Sequence, residues 1–510
     1  MNTAEKLNSN GVLLDLINGL VSLPDPAPQS VNIVATGIQM DSRLLQKGDL
    51  FLACFGNNHD AREYIDEAIE MGVAAVLAES GGEWQGVRLI KGVAVIAIDN
   101  LSAKLGEIAA RFYSHPSRRL SVIGITGTNG KTSCSQFIAQ ALADTGFSCG
   151  TMGTLGYGIY GELKETQLTT PDPVFTQMAL AEMAQGGIDP VVMEVSSVGL
   201  HQRRVKAVKF DTAIFTNLTR DHLDYHESME AYGNNKKKLF TSEGLSRAIV
   251  NLDDPYALSI INAIAPSVDV YTYSLKNSAA TVYAESLSLT RQGFEARLVT
   301  PIGAGTVKGK LFGYFNVSNL LAVITTLINY LPKKKVLDIA QLCELVSGLS
   351  SVDGRMEIIG DFEEITAMVD YAHTPDGLRS ALKGLRDHFS GNIWCVFGCG
   401  GNRDKGKRPI MGEVAEAFAD RLIITDDNPR NEKGDDIVQH ILSGMNKPEQ
   451  AVIERDREKA IAYAIANAES GDVVVVAGKG HETYQDVGGS RLIFSDASQV
   501  RLALQAREKK

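Results

Sequence analysis

Apolar residues in this chain gather into short, nearly unbroken runs, and most runs are followed by a stretch with the i, i+3, i+4 spacing of a helix. That alternation predicts buried parallel strands joined by helical crossovers, an α/β chain. In the first block the run Asp49 to Cys54 predicts a strand, Ala61 to Met71 a helix, and Val73 to Leu77 a second strand. Asn100 to Tyr113 reads as a helix with Asn100 as its N-cap. The second block opens with the β-branched run Leu120 to Thr126, a glycine-rich turn and a helix over Lys131 to Thr145. Further strands are predicted at Val191 to Val195, Thr212 to Thr216 and Ala248 to Leu252. The third block alternates again, with strands at Ile365 to Val369, Ile393 to Phe397, Arg421 to Thr425 and Val473 to Ala477. Pro409 to Ala419 and Arg457 to Ala468 are helices between them. Three domains are expected: 1–100, 101–347 with a doubly wound sheet, and 348–510 with a Rossmann-like sheet. Ligands of such sheets collect beyond the carboxyl ends of the strands, so the active site belongs between the second and third domains.

The chain has 510 residues, too many for one ordinary core. Its 50 Lys and Arg against 61 Asp and Glu leave a formal charge of −11, which disfavours nucleic acid and anionic membrane as partners. Phosphates then require local basic pockets. Six cysteines, with no C-x-x-C pair, read as reduced thiols rather than a zinc site or a disulfide framework. Met1 to Leu20 lacks a basic start and an unbroken apolar run, and no membrane span follows, so a cytoplasmic protein is expected.

Gly124-Ile125-Thr126-Gly127-Thr128-Asn129-Gly130-Lys131-Thr132 carries the strongest local chemistry. Glycines let backbone N–H groups converge on phosphate oxygens, Lys131 reaches the terminal phosphates, and the Thr132 hydroxyl can bind Mg²⁺. The general phosphate-loop pattern wants Gly where Ile125 stands. Elsewhere, Glu194 ends an apolar strand, a costly place for a carboxylate unless it is paired or meets a cation.

Gly127-Thr128-Asn129-Gly130-Lys131-Thr132 resembles the ATP loop of the Mur ligases and of the related folylpolyglutamate synthetases. The resemblance spans essentially the whole chain and implies a three-domain fold with a central P-loop ATPase-like sheet. It also implies ATP-driven activation of a substrate carboxylate as an acyl phosphate, which an amine then displaces. From Met193-Glu194-Val195-Ser196-Ser197 and Asn217 to His226 it implies that Glu194 and His222 are Mg²⁺ ligands beside Thr132. From the register of Leu239-Phe240 it implies that Lys236 is carbamylated and supports the metal, although Asn235 stands where the family usually has Ala. Asn316 and Asn319 are implied at adenine, Arg355 at the phosphates and Asp370 at the ribose.

Within the family the chain most resembles the members that add diaminopimelate to UDP-N-acetylmuramoyl-L-alanyl-D-glutamate. Asp41-Ser42-Arg43 and Gly56-Asn57-Asn58-His59-Asp60 are similar to their uridine-binding segments. Ser42, Thr169, Thr170, Ser196, Gln202 and Arg204 are the implied contacts to the UDP-linked dipeptide, while Val198 stands where many relatives have His. The amino acid is implied at Arg403, Asp427-Asn428-Pro429-Arg430, Gly478 and Glu482. Arginines suit the far carboxylate of meso-diaminopimelate, which lysine lacks, and Glu482 suits its ammonium. A monomer that binds ATP, Mg²⁺ and these two substrates is the resulting expectation. The rivals are a lysine-adding or folylpolyglutamate-type ligase and, in another class, a regulator that uses the phosphate loop as a switch.

Overall fold

The computed structural model describes residues 11–23, 31–56, 59–166, 168–331, 337–360 and 365–508. Asn57 and Asn58 of the uridine-like segment, and Met1 to Asn10 of the expected leaderless start, lie outside them.

Three main sheets follow one another along the chain. The first has five strands in the order Gly37–Gln39, Asp49–Ala53, Ala75–Glu79, Val93–Ile98, Val87–Ile90, parallel except for the last. The helix Leu101–Phe112 buries Leu101, Leu105, Ile108, Ala109 and Phe112 in the core of that sheet and also packs on the helix Pro173–Gln185. Each large side chain buried there contributes roughly 1.5–3 kcal/mol.

The second sheet has eleven strands. Its parallel centre runs Asp269–Ser274, Arg247–Asn251, Thr212–Phe215, Val122–Thr126, Val191–Glu194, Gly150–Gly153. Val122–Thr126 is wholly buried between neighbours on both sides, which is why it reads as an apolar run. Ile125 pairs with Glu194, and Thr126 pairs with Phe215. The carboxyl ends of three adjacent strands therefore converge, and each continues into a segment singled out by its sequence.

The third sheet runs Glu357–Ile359, Thr366–Asp370, Val473–Ala477, Ile393–Phe397, Arg421–Ile424, Val452–Ile453, parallel beyond its first strand. A small hairpin, Tyr484–Val487 with Ser490–Ile493, follows the strand Val473–Ala477.

Several local expectations need correction. Asn100 is not a capping side chain: its φ is +52° and it makes no capping bond. Glu79, at the end of a neighbouring strand, accepts from the N–H groups of Leu101 and Ser102 at 2.9 and 3.1 Å instead. The Ala61 to Met71 helix begins as a 3₁₀ turn, Ala61–Tyr64, before the α-helix Ile65–Glu70. The central sheet is extended by antiparallel strands not read from the sequence. Gly156–Ile159 and Glu162–Lys164 lie on one side, and Gly293–Thr300 and Gly303–Gly309 beyond Val282–Thr290 on the other. Val282–Thr290 is exposed or half-buried after its first residue, so no apolar run marked it.

Candidate active site

The phosphate loop sits at the end of Val122–Thr126 and leads into the helix Lys131–Asp144, whose first N–H groups have no side-chain cap. Such a helix start receives anions. Its shape is fixed from the neighbouring strand: Thr128 N–H donates to the Asn217 carbonyl and Asn129 N–H to Asn217 Oδ1, both at 2.9 Å. Gly130 has φ +85°, and a Cβ there would lie 2.5 Å from Asn319 Oδ1. Glycine is needed for both reasons. The Lys131 ammonium donates to the carbonyls of Gly127 and Thr128 at 2.8 and 2.9 Å. These are neutral acceptors, and burial pulls this lysine below its ordinary pKa despite Glu194 and Asp221 nearby.

Glu194 is 1% exposed. It accepts from Thr132 Oγ1 at 2.9 Å, Thr154 N at 2.9 Å and Thr154 Oγ1 at 3.1 Å. Carboxylate and hydroxyl oxygens thus converge behind the phosphate loop, a donor set suited to a hard divalent cation such as Mg²⁺. His222 stands apart, half-exposed, with φ +51° and Asp221 at 3.4 Å. The connection to the loop is Tyr232, which the sequence reading missed. Its hydroxyl is 3.1 Å from Thr128 Oγ1, its ring is 6.2 Å from that of His222, and the Lys236 ammonium lies 4.3 Å from its centre. Tyr232 precedes Lys236 by one helical turn on the same face, a spacing that could have flagged it. Lys236 is 1% exposed and has no carboxylate within ion-pair distance among the described residues. Burial first, then the charge of Lys131, pushes its pKa well below the lysine range. Asn235 donates to Ala231 O and accepts from Lys238 Nζ, which holds the neighbouring lysine away from this site.

Thr169 Oγ1 lies 3.1 Å from Thr154 Oγ1, beside Glu194. Thr170 Oγ1 donates to the Glu194 carbonyl and accepts from Ser196 N–H, both at 3.0 Å, and Ser196 Oγ caps the next helix through Gly199 N–H. These hydroxyls therefore hold the loop together as well as lining it. Arg204 donates to Gln202 Oε1 and to the Thr170 carbonyl, and Gln202 Nε2 donates to Tyr225. Ser42 lies in a 3₁₀ turn beyond Gly37–Gln39.

The third unit reaches into the phosphate site through Arg355. Its Nη2 donates to Thr132 Oγ1 at 3.1 Å while the guanidinium lies 4.4 Å over the Tyr371 ring. Asp370 accepts from the N–H groups of Met356 and Ala372 at 2.7 and 2.8 Å, so its carboxylate fastens the start of this unit. Asn316 Nδ2 donates to the Phe312 carbonyl, and Asn319 packs on the phosphate loop. The amides of both asparagines are buried within the protein.

Four adjacent strand ends of the third sheet gather Asp370, Gly478 to Glu482, Gly400 to Arg403 and Asp427 to Arg430. Arg430 has φ +50°, donates to the Gly401 carbonyl at 2.8 Å and is tied by its backbone to Asp486 and Gly488 of the hairpin. Arg403 is exposed, at 3.4 Å from the Asn402 carbonyl. Asp427 accepts from Asn428 N–H, and Pro429 connects it to Arg430. Gly478, with φ +116°, leaves room for Asp427 Oδ2, 2.6 Å from where a Cβ would stand. Asn428 and Glu482 are joined at 2.8 Å, and both meet Lys479, a second residue whose role the sequence concealed. A cavity of about 1320 Å³ lies between the two units. Thr154, Thr166 and Thr169 line one wall, and Tyr371, His481 and Glu482 the other.

No group of three or more His, Cys, Asp or Glu side chains forms a metal cluster among the described residues, and no helix there is long and apolar enough to cross a membrane. All six cysteines are free thiols.

Three family models match the chain: the Mur ligase middle domain at residues 125–327, the Mur ligase glutamate ligase domain at 354–480, and the Mur ligase family catalytic domain at 34–113. The UDP-N-acetylmuramoyl-L-alanyl-D-glutamate–2,6-diaminopimelate ligase of Coxiella burnetii is 45% identical over 480 residues, covering 93% of this chain and 96% of the relative. The ligase of that name from Pseudomonas aeruginosa is 44% identical over 489 residues, covering 96% and 99%. A solved structure bearing the same ligase name superposes with a TM-score of 0.69 at 33% identity, covering 98% of this chain and 99% of that one. The folylpolyglutamate synthase of Mycobacterium tuberculosis shares the fold, with a TM-score of 0.61 at 17% identity over 74% of this chain and 92% of its own.

Proposed function

The chain belongs to the Mur ligase family, and on that footing we propose that it joins meso-diaminopimelate to the D-glutamate of UDP-N-acetylmuramoyl-L-alanyl-D-glutamate at the expense of ATP, a step in building the peptidoglycan precursor. The observation that carries this reading is the pairing of two unlike sites across one cavity. Thr154 and Thr169, beside Glu194 and the phosphate loop, face Tyr371, His481 and Glu482 of the third unit across it, and Arg355 of that unit donates to Thr132 of the loop. We divide the work among 1–100 for the uridine end with Ser42, 101–347 for ATP and the dipeptide, and 348–510 for the incoming amino acid. We propose a monomer in the cytoplasm, where ATP is available and thiols stay reduced.

The N–H groups of the loop and the Lys131–Asp144 helix start, with Lys131, receive the phosphates of ATP. Gly127, Thr128, Asn129 and Gly130 shape that cradle, Asn319 supports it, and Arg355 reaches the phosphates from the third unit. Thr169, Thr170, Ser196, Gln202 and Arg204 place the D-glutamate. A carboxylate oxygen of D-glutamate bonds to the γ-phosphorus as the bond to ADP breaks. The amine of diaminopimelate then bonds to the acyl carbon, inorganic phosphate leaves, and the amine gives up a proton. Thr132, Glu194 and His222, with Lys236 as its carbamate, would hold Mg²⁺, which neutralises charge between the two anions when bound. The Lys236 environment supports carbamylation: burial lowers the pKa of this amine, and it is the neutral form that attacks CO₂, forming an N–C bond and releasing a proton. Arg430 and Arg403 take the far carboxylate of the amino acid, and Glu482 its ammonium.

The test is ADP release with and without the UDP-linked dipeptide and the amino acid. Turnover should require both and yield the tripeptide product. ADP release indifferent to the dipeptide would instead support a nucleotide switch.

A further inference from the structure

Glu482 is proposed above to take the far ammonium of the amino acid, yet its carboxylate is already half committed. Lys479 Nζ donates to Glu482 Oε2 at 2.8 Å and to Asn428 Oδ1 at 3.0 Å. Asn428 Nδ2 donates to the same Glu482 oxygen at 2.8 Å. Asn428 Oδ1 also accepts from Asp486 N–H at 2.8 Å, which ties this group to the hairpin and so to Arg430. The Lys479 side chain is 0% exposed and its ammonium lies 5.5 Å from the centre of the Tyr484 ring, so it cannot touch a substrate. Glu482 is 20% exposed and lines the cavity. Both donors fall on Oε2, and Oε1 makes no hydrogen bond among the described residues.

We infer that Lys479 is a positioning residue: with Asn428 it pins one oxygen of Glu482 and leaves the other aimed at the far ammonium group of the amino-acid substrate. The inference rests on the reading of Glu482 under the proposed function. A glutamate side chain has three free torsions, and holding one oxygen removes most of that freedom before the ligand arrives. The buried cation also keeps the carboxylate's charge from being lone in a desolvated corner. Asn428 thus braces Glu482 through one N–H of its amide.

The test compares meso-diaminopimelate with 2-aminopimelate, which keeps the reacting amine and both carboxylates but lacks the far ammonium. Lys479→Met, Lys479→Gln, Glu482→Gln and the Lys479→Met/Glu482→Gln double variant are assayed by steady-state kinetics, with thermal unfolding confirming that each is folded. Either Lys479 variant should lose about tenfold or more in kcat/KM for diaminopimelate, mainly through KM. Efficiency with 2-aminopimelate, and the KM values for ATP and the dipeptide, should stay within about twofold. Added to Glu482→Gln, the Lys479 change should cost little more, because both act on one interaction. Equal losses with both amino acids, or losses that multiply in the double variant, would show a general structural role and overturn the inference. A Glu482→Gln enzyme that keeps full preference for diaminopimelate would overturn the reading of Glu482 and, with it, the role of Lys479.

Discussion

The two buried lysines of the cleft, Lys236 in the central unit and Lys479 in the third, are held in opposite ways. Lys479 is neutralised within hydrogen-bond distance by Glu482. Lys236 lies against the face of Tyr232 with no carboxylate within ion-pair distance among the described residues, and burial and the charge of Lys131 outweigh the more distant Asp221. The proposed phosphate side thus lacks a paired carboxylate at Lys236, which is what the proposed polyanion and carbamate would supply. The amino-acid side is closed and pre-set. A site for triphosphate chemistry must gain from its ligand what it lacks, whereas a site that discriminates among amino acids must have its charges placed beforehand.

The strongest way to break this comparison is at Lys131. Lys131→Ala should preserve the fold and reduce kcat on the order of a thousand-fold, as expected for the loss of a phosphate clamp. Near-normal turnover of the folded variant would remove the phosphate loop from the mechanism. Lys236→Ala should lose about a hundred-fold or more, with partial recovery when a small carboxylic acid such as formate is added. Lys237→Ala and Lys238→Ala should remain active; a dead Lys237 or Lys238 variant beside an active Lys236→Ala would place the carbamate elsewhere.

On the closed side, Arg430→Ala should cost roughly 2–5 kcal/mol of transition-state binding, a thirty-fold loss or more in kcat/KM for diaminopimelate. Arg430→Lys should be intermediate, since it lacks the planar fork. Preference over lysine should narrow, and unchanged selectivity in both variants would show that Arg430 does not read the far carboxylate.

Stability sharpens the same contrast. Lys236→Met should leave Tm unchanged or raise it, because it removes a buried amine that has no ion-pair partner among the described residues. Lys479→Met should lower Tm by roughly 4–8 °C, about 2 kcal/mol for a unit of this size, because Glu482 loses its cation. Equal shifts would erase the distinction between the two lysines.

The smallest effect is on pH. Burial pushes the His373 and His481 imidazoles down to about 4, helped by Lys407 beside the first and by Arg355 beside the second. In the unfolded chain they titrate near ~6.5. Between those values the unfolded state binds more protons, so stability falls as pH drops through the window. Thermal unfolding from pH 7 to 5 should show this slope, and a His481→Asn variant should flatten it. An unchanged slope would mean that His481 titrates alike in the folded and unfolded chain.

Much of this protein was legible in its sequence because the information was local. Buried parallel strands must be apolar along their whole length, so Val122–Thr126, Ile393–Phe397 and Val473–Ala477 stood out as runs. Loops beyond such strands are where ligands collect, so the phosphate loop, Asp427 to Arg430 and Gly478 to Glu482 could be singled out as candidates, and the structure places each at a strand end. What the tertiary structure alone decided was which partner each polar group would take. Glu79 caps a helix 22 residues away in place of Asn100, Asn428 spends its amide on Glu482 across 54 residues, and Tyr232 meets Thr128 across 104. Hydrogen-bond partners depend on distances in space, and strand order brings together ends that chain separation does not reveal. A buried lysine beside a glutamate and one beside a tyrosine look alike in a string of letters; only folding gives one an ion-pair partner and sets the other against a ring.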